Sequence, residues 1–273
     1  MTLEVLICTL GRDGIERVAA MGLPHVESVS YLVSWQMPDG EVPQSLIRPD
    51  VRIITSHDKG LSRNRNHALD NAAGDILLIA DDDLSYTAEQ LFSVANVFSK
   101  NPSLEVATFR YDGEDKKCYP DHECDLGKEM PKGYYVTSFE LALRRNSPAG
   151  KLRFNEKMGI GARYLHAAEE ELLLLTARKM GLNCRFFPIT ITGHKGLTSG
   201  NRDVTPGVAR AFGAYIGLAY PFTCLPRILL KAWRLKRSGQ GSFFKSLWQM
   251  LCGLVYAAAV VTPQWSPRYK TSK

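Results

Sequence analysis

The apolar run Ile76-Leu77-Leu78-Ile79-Ala80 passes without a break into Asp81-Asp82-Asp83. An unbroken apolar run of this length suits a strand buried on both faces, the pattern of a parallel sheet. The three carboxylates then stand at the strand's carboxyl end, the edge where open α/β sheets bind their ligands. Like charges so close together are costly unless a cation or a set of donors compensates them. Two readings follow: a divalent metal carrying a phosphorylated ligand, or a solvated Asp-rich turn.

The flanking sequence supports an α/β sheet. Leu3 to Cys8 reads as a central strand ending at Thr9-Leu10-Gly11-Arg12, with further strands at Val26–Ser34 and Val51–Ile54. Ser62 is placed to cap a helix bearing Leu61, Ala68, Leu69 and Ala72, closing near Gly74. Thr87 and Gln90 form a capping-box pair ahead of Leu91, Val94, Ala95 and Phe98, and Asn101-Pro102 stops that helix. A strand at Leu104–Arg110, a helix from about Leu165 to Met180, and short strands at Cys184–Phe187 and Ile189–Thr192 around Pro188 complete the pattern. Strands alternating with helices at this spacing predict an α/β fold with a mostly parallel sheet. Residues 111–135 are polar and read as an excursion over the active face.

Charge divides the chain. Of its 34 Lys and Arg, ten lie in Thr205–Lys273, which has no Asp or Glu; the part before it keeps 24 basic against 28 acidic residues. An acidic body with a basic, apolar tail is not the layout of a nucleic-acid binder. We therefore divide the chain into residues 1–204, an acidic α/β body, and 205–273, a helical tail. Within the tail, 211–226 and 246–267 are uncharged but fall short of about 20 continuous apolar residues. Short apolar helices beside Arg227, Lys231, Arg234, Lys236 and Arg237 suit attachment to an anionic membrane surface. The alternative is a helical subdomain docked on the core with its basic face solvated. Met1 to Leu10 runs straight into a strand, without the pattern of a secretory leader, and the six scattered cysteines are expected to be reduced thiols. Cys118, His122 and Cys124 lie close together but match no familiar zinc spacing.

Several pieces in order give the chain a resemblance to the family 2 glycosyltransferases, which have the GT-A nucleotide-sugar fold. They are the first strand with Thr9, then Lys59-Gly60-Leu61-Ser62-Arg63-Asn64-Arg65-Asn66, then Gly74-Asp75 leading to Asp81-Asp82-Asp83. Gly159-Ile160-Gly161-Ala162, Glu169-Glu170-Glu171, and His194 with Thr198-Ser199-Gly200 follow. The resemblance covers roughly residues 3–200. It implies an inverting enzyme that moves a sugar from a nucleotide donor to an acceptor hydroxyl with Mn²⁺ or Mg²⁺.

By that resemblance Asp83, Asp81 and His194 hold the metal, and Thr9, Gly11, Arg63, Asn64, Asp81 and Asp82 line the nucleotide-sugar pocket. Strand alternation leaves Asp82 free to point away. Arg63 and Arg65 in the first turn of a helix suit an anion site; the alternative is that one of them is a surface charge, and that one is then Arg65. Three consecutive helical residues fan through about 200°, so Glu169, Glu170 and Glu171 cannot all face a cleft. We assign Glu170 as the base and Glu169 to positioning the acceptor; the alternative is that these residues complement a helix N-terminus. The family's acidic residue after the second strand is replaced here by Ser34-Trp35-Gln36. Trp35 is left open between base stacking and a core or lid role.

The implied setting is cell-surface glycan synthesis, with a glycan or lipid-linked acceptor and a cytoplasmic enzyme peripheral to the inner face of the membrane. Two other functions compete. A sugar-phosphate nucleotidyltransferase needs a Gly-rich basic loop after the first strand, and Thr9-Leu10-Gly11-Arg12-Asp13-Gly14 is a poor version of one. An inactive GT-A-like membrane scaffold needs no intact Asp83 or Glu170.

Overall fold

The computed structural model describes residues 1–114, 117–195, 204–267 and 269. The chain forms two compact units, the first comprising residues 1–59, 63–153 and 177–196. Its sheet is built on β1 (Leu3–Leu10), β2 (Val29–Gln36), β3 (Val51–Ser56) and β4 (Ile76–Asp81). Strand order is β3-β2-β1-β4, continuing through β8 (Leu141–Arg144), β6 (Val106–Gly113), β9 (Cys184–His194) and β5 (Leu84–Ser85), with β7 (Cys124–Asp125) beside β9. β1 to β4 pair in parallel, and the register opposes Cys8 to Asp81 and Thr9 to Trp35. The apolar run of β4 is buried throughout, as are Val5, Leu6 and Ile7 of β1, so these two strands form the centre of the core.

The second half of the sheet is mixed. β8 (Leu141–Arg144) runs antiparallel to both β4 and β6 (Val106–Gly113). β9 (Cys184–His194) runs parallel to β6 and antiparallel to the short β5 (Leu84–Ser85). Where the sequence suggested two strands around Pro188, there is one. The register passes from Thr108 opposite Phe186 to Arg110 opposite Thr190, so Pro188 sits in an irregularity where no ladder donor is required.

Helix α1 (Gly11–Ala20) starts directly from β1 and was not foreseen. Gly11 takes φ of +63°, which turns the chain from strand into helix at little cost only without a Cβ. α2 spans Leu61–Asn71. Ser62 lies inside it rather than capping it, and its hydroxyl donates to the Met158 carbonyl at 2.7 Å. α3 (Ala88–Lys100) has the expected box: Gln90 N–H donates to Thr87 Oγ1 and Thr87 N–H to Gln90 Oε1. Trp35 is core, its indole N–H donating to the Gly11 carbonyl at 2.8 Å.

The second unit comprises residues 60–62, 154–176 and 197–273. α4 (Glu169–Lys179) begins later than the expected Leu165, after Ala168 at φ +67°. Among the described residues the tail contains three helices: α5 (Pro206–Ala219), α6 (Cys224–Arg237) and α7 (Phe243–Val260). α5 and α7 approach closely at glycines. A methyl group on Gly213 would lie 1.9 Å from the Met250 carbonyl oxygen, and one on Gly253 1.9 Å from that of Arg210. α7 is long and apolar enough, by length and composition alone, to cross a membrane.

Candidate active site

The carboxyl ends of β1 and β4 carry Thr9 and the Asp triplet side by side, and each aspartate has a different partner. Asp82 accepts from Thr9 Oγ1 at 2.5 Å and takes both Nε and a terminal nitrogen of Arg17, at 3.1 and 2.9 Å. It therefore does not point away as strand alternation suggested; it ties β4 to β1 and α1. Arg17 was missed because nothing in the sequence marks an α1 residue as lying beside β4. Gly14 is also part of this contact, since a Cβ there would sit 2.1 Å from Thr9 Oγ1.

Asp81 accepts from the Arg65 guanidinium at 2.9 Å, and Ser138 Oγ joins both, 2.6 Å from Arg65 and 3.4 Å from Asp81. Arg65 is buried while Arg63 is exposed, the reverse of the surface assignment made from sequence. Asn64 is buried too, and its amide donates to the carbonyls of Thr9 and Ser34 at 3.0 and 2.9 Å. This side chain fastens α2 to the ends of β1 and β2.

Asp83 stands apart from both networks. Its Oδ2 lies 3.4 Å from His194 Nε2, and nearly half of its side chain is exposed. The backbone creates this proximity, because Leu84 of β5 pairs with His194 of β9 while Gly113 of β6 flanks His194 on the other side. Partial burial raises the Asp83 pKa, as do Asp81 and Asp82, while His194 and Arg17 oppose the rise. Phe139 stacks on the imidazole at 5.4 Å with planes 12° apart, and Tyr111 meets it edge-on.

The short turn Ser138–Glu140 thus supports the site with three successive side chains. Ser138 faces Arg65 and Asp81, and Phe139 faces His194. Glu140 is fully buried, accepting from Thr137 N and Oγ1 at 2.6 Å, from Tyr119 Oη at 2.5 Å, and from Lys117 Nζ. The rings of Tyr111, Tyr119, Tyr134 and Tyr135 surround that ammonium, the nearest 4.4 Å away. Charge pairing and cation–π contact together make so buried a lysine tolerable. The turn was missed in the sequence; the capping box Thr137–Glu140 is the local signal that could have found it.

The donor set can be tested against a metal. Among the described residues no three His, Cys, Asp or Glu side chains group as a metal cage. One carboxylate oxygen and one imidazole nitrogen, adjacent and half open, do fit a hard cation that fills its remaining positions with phosphate oxygens and water. Asp81, the other expected ligand, has its carboxylate on Arg65. The segment bearing Thr198-Ser199-Gly200 lies outside the described residues.

In the second unit, the Gly159–Ala162 stretch meets residues 60–62. Leu61 N–H donates to the Ile160 carbonyl at 2.9 Å, and a Cβ on Gly161 would stand 2.9 Å from Gly60 Cα. Glu169 is buried, with its carboxyl carbon 2.8 Å from where a Gly159 side chain would begin. Glu171 and Lys231 interact electrostatically, although burial lowers the Lys231 pKa. Glu170 is partly exposed between these two differently engaged neighbours.

Residues 41–162 match the model of glycosyl transferase family 2. The chain carries a glycosyl transferase family 2 domain. By this match it is a glycosyltransferase, and the matched stretch includes α2, the Asp triplet and Gly159–Ala162 but not Glu169–Glu171 or His194. A search of the curated proteins finds no relative of significant similarity. Among solved structures, the sheet resembles S. aureus TarS 1-349 in complex with UDP-GlcNAc, with a TM-score of 0.53 and 18% identity over 81% of this chain and 68% of that one. It also resembles the mannosyltransferase PcManGT from Pyrobaculum calidifontis in complex with GDP-Man and Mn²⁺, with a TM-score of 0.56 and 13% identity over 95% and 76% of the two chains. At these identities the likeness establishes the GT-A-type fold.

Proposed function

We propose that this enzyme is an inverting, metal-dependent transferase that moves a sugar from a nucleoside-diphosphate donor to an acceptor hydroxyl. The observation that carries the proposal is the Asp83–His194 pair, set 3.4 Å apart at the ligand-binding edge of a family 2 sheet. Asp83 and His194 hold Mn²⁺ or Mg²⁺, with Asp81 close by on the same strand. A bound divalent ion neutralises charge that builds on the departing diphosphate. Thr9, Gly11, Arg63, Asn64, Asp81 and Asp82 form the donor pocket, where Asn64, Asp81 and Asp82 act through the networks that fix its walls.

Glu170 takes the proton of the acceptor hydroxyl as its oxygen attacks the anomeric carbon, and Glu169 positions the acceptor. The acceptor is a glycan or lipid-linked glycan under assembly for the cell surface, met at the inner face of a membrane. The ligands bound in the structural neighbours, UDP-GlcNAc and GDP-Man, support a nucleotide-sugar donor without choosing one.

The test is to incubate the full chain with a panel of nucleotide sugars and Mn²⁺ and follow release of nucleoside diphosphate. Release that stops on chelation is expected. Pyrophosphate from nucleoside triphosphate and sugar phosphate would instead identify a nucleotidyltransferase, and inactivity towards every donor would favour a scaffold.

A further inference from the structure

A helix at a protein surface ordinarily turns polar side chains outward, whereas α6 and α7 also turn large apolar ones outward. α7 buries Ser246, Met250, Gly253 and Ala257 on one stripe. On the opposite stripe Phe244, Trp248 and Val255 are 78%, 65% and 70% exposed. α6 buries Ile228, Ala232 and Leu235 and leaves Leu225, Leu229 and Trp233 exposed at four-residue spacing. Just before it, Phe222 is 99% exposed. An outward surface this rich in large apolar groups marks an interaction site.

The charge carried by these two helices has one sign. Arg227, Arg234, Lys236, Arg237 and Lys245 are exposed on the same two helices, and the tail contains no acidic residue at all. Trp, Phe and Leu flanked by Lys and Arg is the composition that binds headgroups while inserting side chains at the acyl boundary. Crossing the bilayer is a worse fit for α7. Its 18 residues extend about 27 Å, short of an about 30 Å hydrocarbon core. One of its faces is also already committed to α5 through Gly213 and Gly253.

We propose that the outward face of α6 and α7 lies in the interface of an anionic phospholipid bilayer, with Phe222, Trp233, Phe244 and Trp248 inserted and the basic residues on the headgroups. This deepens the reading of a membrane-side acceptor and rests on it only for its purpose. Lipid binding is read without any transfer reaction, so either claim can fail alone.

The experiment is flotation of the full chain with vesicles of phosphatidylcholine, alone or mixed with phosphatidylglycerol. Binding to the mixed vesicles, release by high salt or alkaline carbonate, and quenching of tryptophan by lipids brominated near the headgroup are expected. Arg234→Ala should weaken binding about fivefold, the effect of one basic residue near a charged surface. Trp248→Ser and Phe244→Ser, separately, should weaken it while leaving the far-ultraviolet circular dichroism unchanged; two variants guard against one that misfolds. Equal binding to neutral vesicles, or retention after carbonate as for a spanning helix, would overturn the proposal. So would a dimer that buries Trp248 and leaves the vesicles unbound.

Discussion

Phe139 lies flat against His194, ring centroids 5.4 Å apart, on the side chain that also approaches Asp83 within 3.4 Å. The imidazole's orientation is therefore fixed by packing before any ligand arrives, and a fixed ligand binds metal without an ordering cost. Phe139→Leu keeps an apolar side chain but removes the stack. We predict about tenfold weaker Mn²⁺-dependent nucleotide binding, with thermal stability of the ligand-free enzyme lowered by about 1 kcal/mol. A double-mutant cycle with His194→Ala checks this, because the two effects should not add.

Glu170 and Glu169 separate by a different comparison. Glu170→Gln should bind donor as the parent does but turn over about 10²–10⁴-fold more slowly, the usual effect of losing a general base. Glu169 is buried against Gly159, so Glu169→Gln should lower the melting temperature as well as the rate. Single-turnover kinetics together with donor titration distinguish them. Normal turnover by Glu170→Gln would remove the base assignment.

Gly14 offers a test in which two effects oppose one another. Helix propensity favours Ala over Gly by about 1 kcal/mol, yet the added methyl would fall 2.1 Å from Thr9 Oγ1 and 3.3 Å from Asp82 Oδ2. Overlap with the buried Thr9 hydroxyl, held in place by its bond to Asp82, should win, so Gly14→Ala is expected to destabilise by about 1–3 kcal/mol. Denaturant unfolding reads the sign directly.

These cases show what the sequence made legible. The apolar run of β4, the capping box of α3 and the order of the motifs were all local patterns, and local patterns survive in one dimension. What failed depended on contacts between distant segments. Arg17 meets Asp82 across 65 positions, and Ser138 meets Arg65 across 73. Arg65 was misplaced on the surface because a charged helix residue is usually solvated; its burial depends on Asp81 and Ser138 arriving from two other elements. Ser62 had the composition of a cap, but its hydroxyl serves the Met158 carbonyl instead. The division of the tail by charge was visible, whereas the apolar outward stripes of α6 and α7 required knowing which faces were buried.

Acid sensitivity should appear away from the site. Asp50 is held to a pKa of about 2 by the Arg48 guanidinium first and His25 next, against an ordinary 3.8. A carboxyl with a depressed folded-state pKa contributes stability that is complete above its unfolded value and lost as pH falls through the folded one. The window is therefore pH 4 down to about 2. The contribution is about 1–2 kcal/mol after allowance for solvent around Arg48. Asp50→Asn should remove that loss from the pH dependence of unfolding between those limits.

The most direct measurement is the shift in melting temperature caused by nucleoside diphosphates with and without Mn²⁺, for the parent enzyme and for Asp83→Ala. A ligand that binds only the folded state stabilises it by mass action. The parent should be stabilised by nucleotide and Mn²⁺ together far more than by either alone, and Asp83→Ala should lose that joint effect while keeping its own fold. An unchanged joint shift in Asp83→Ala would contradict the account, because the metal would then be held elsewhere.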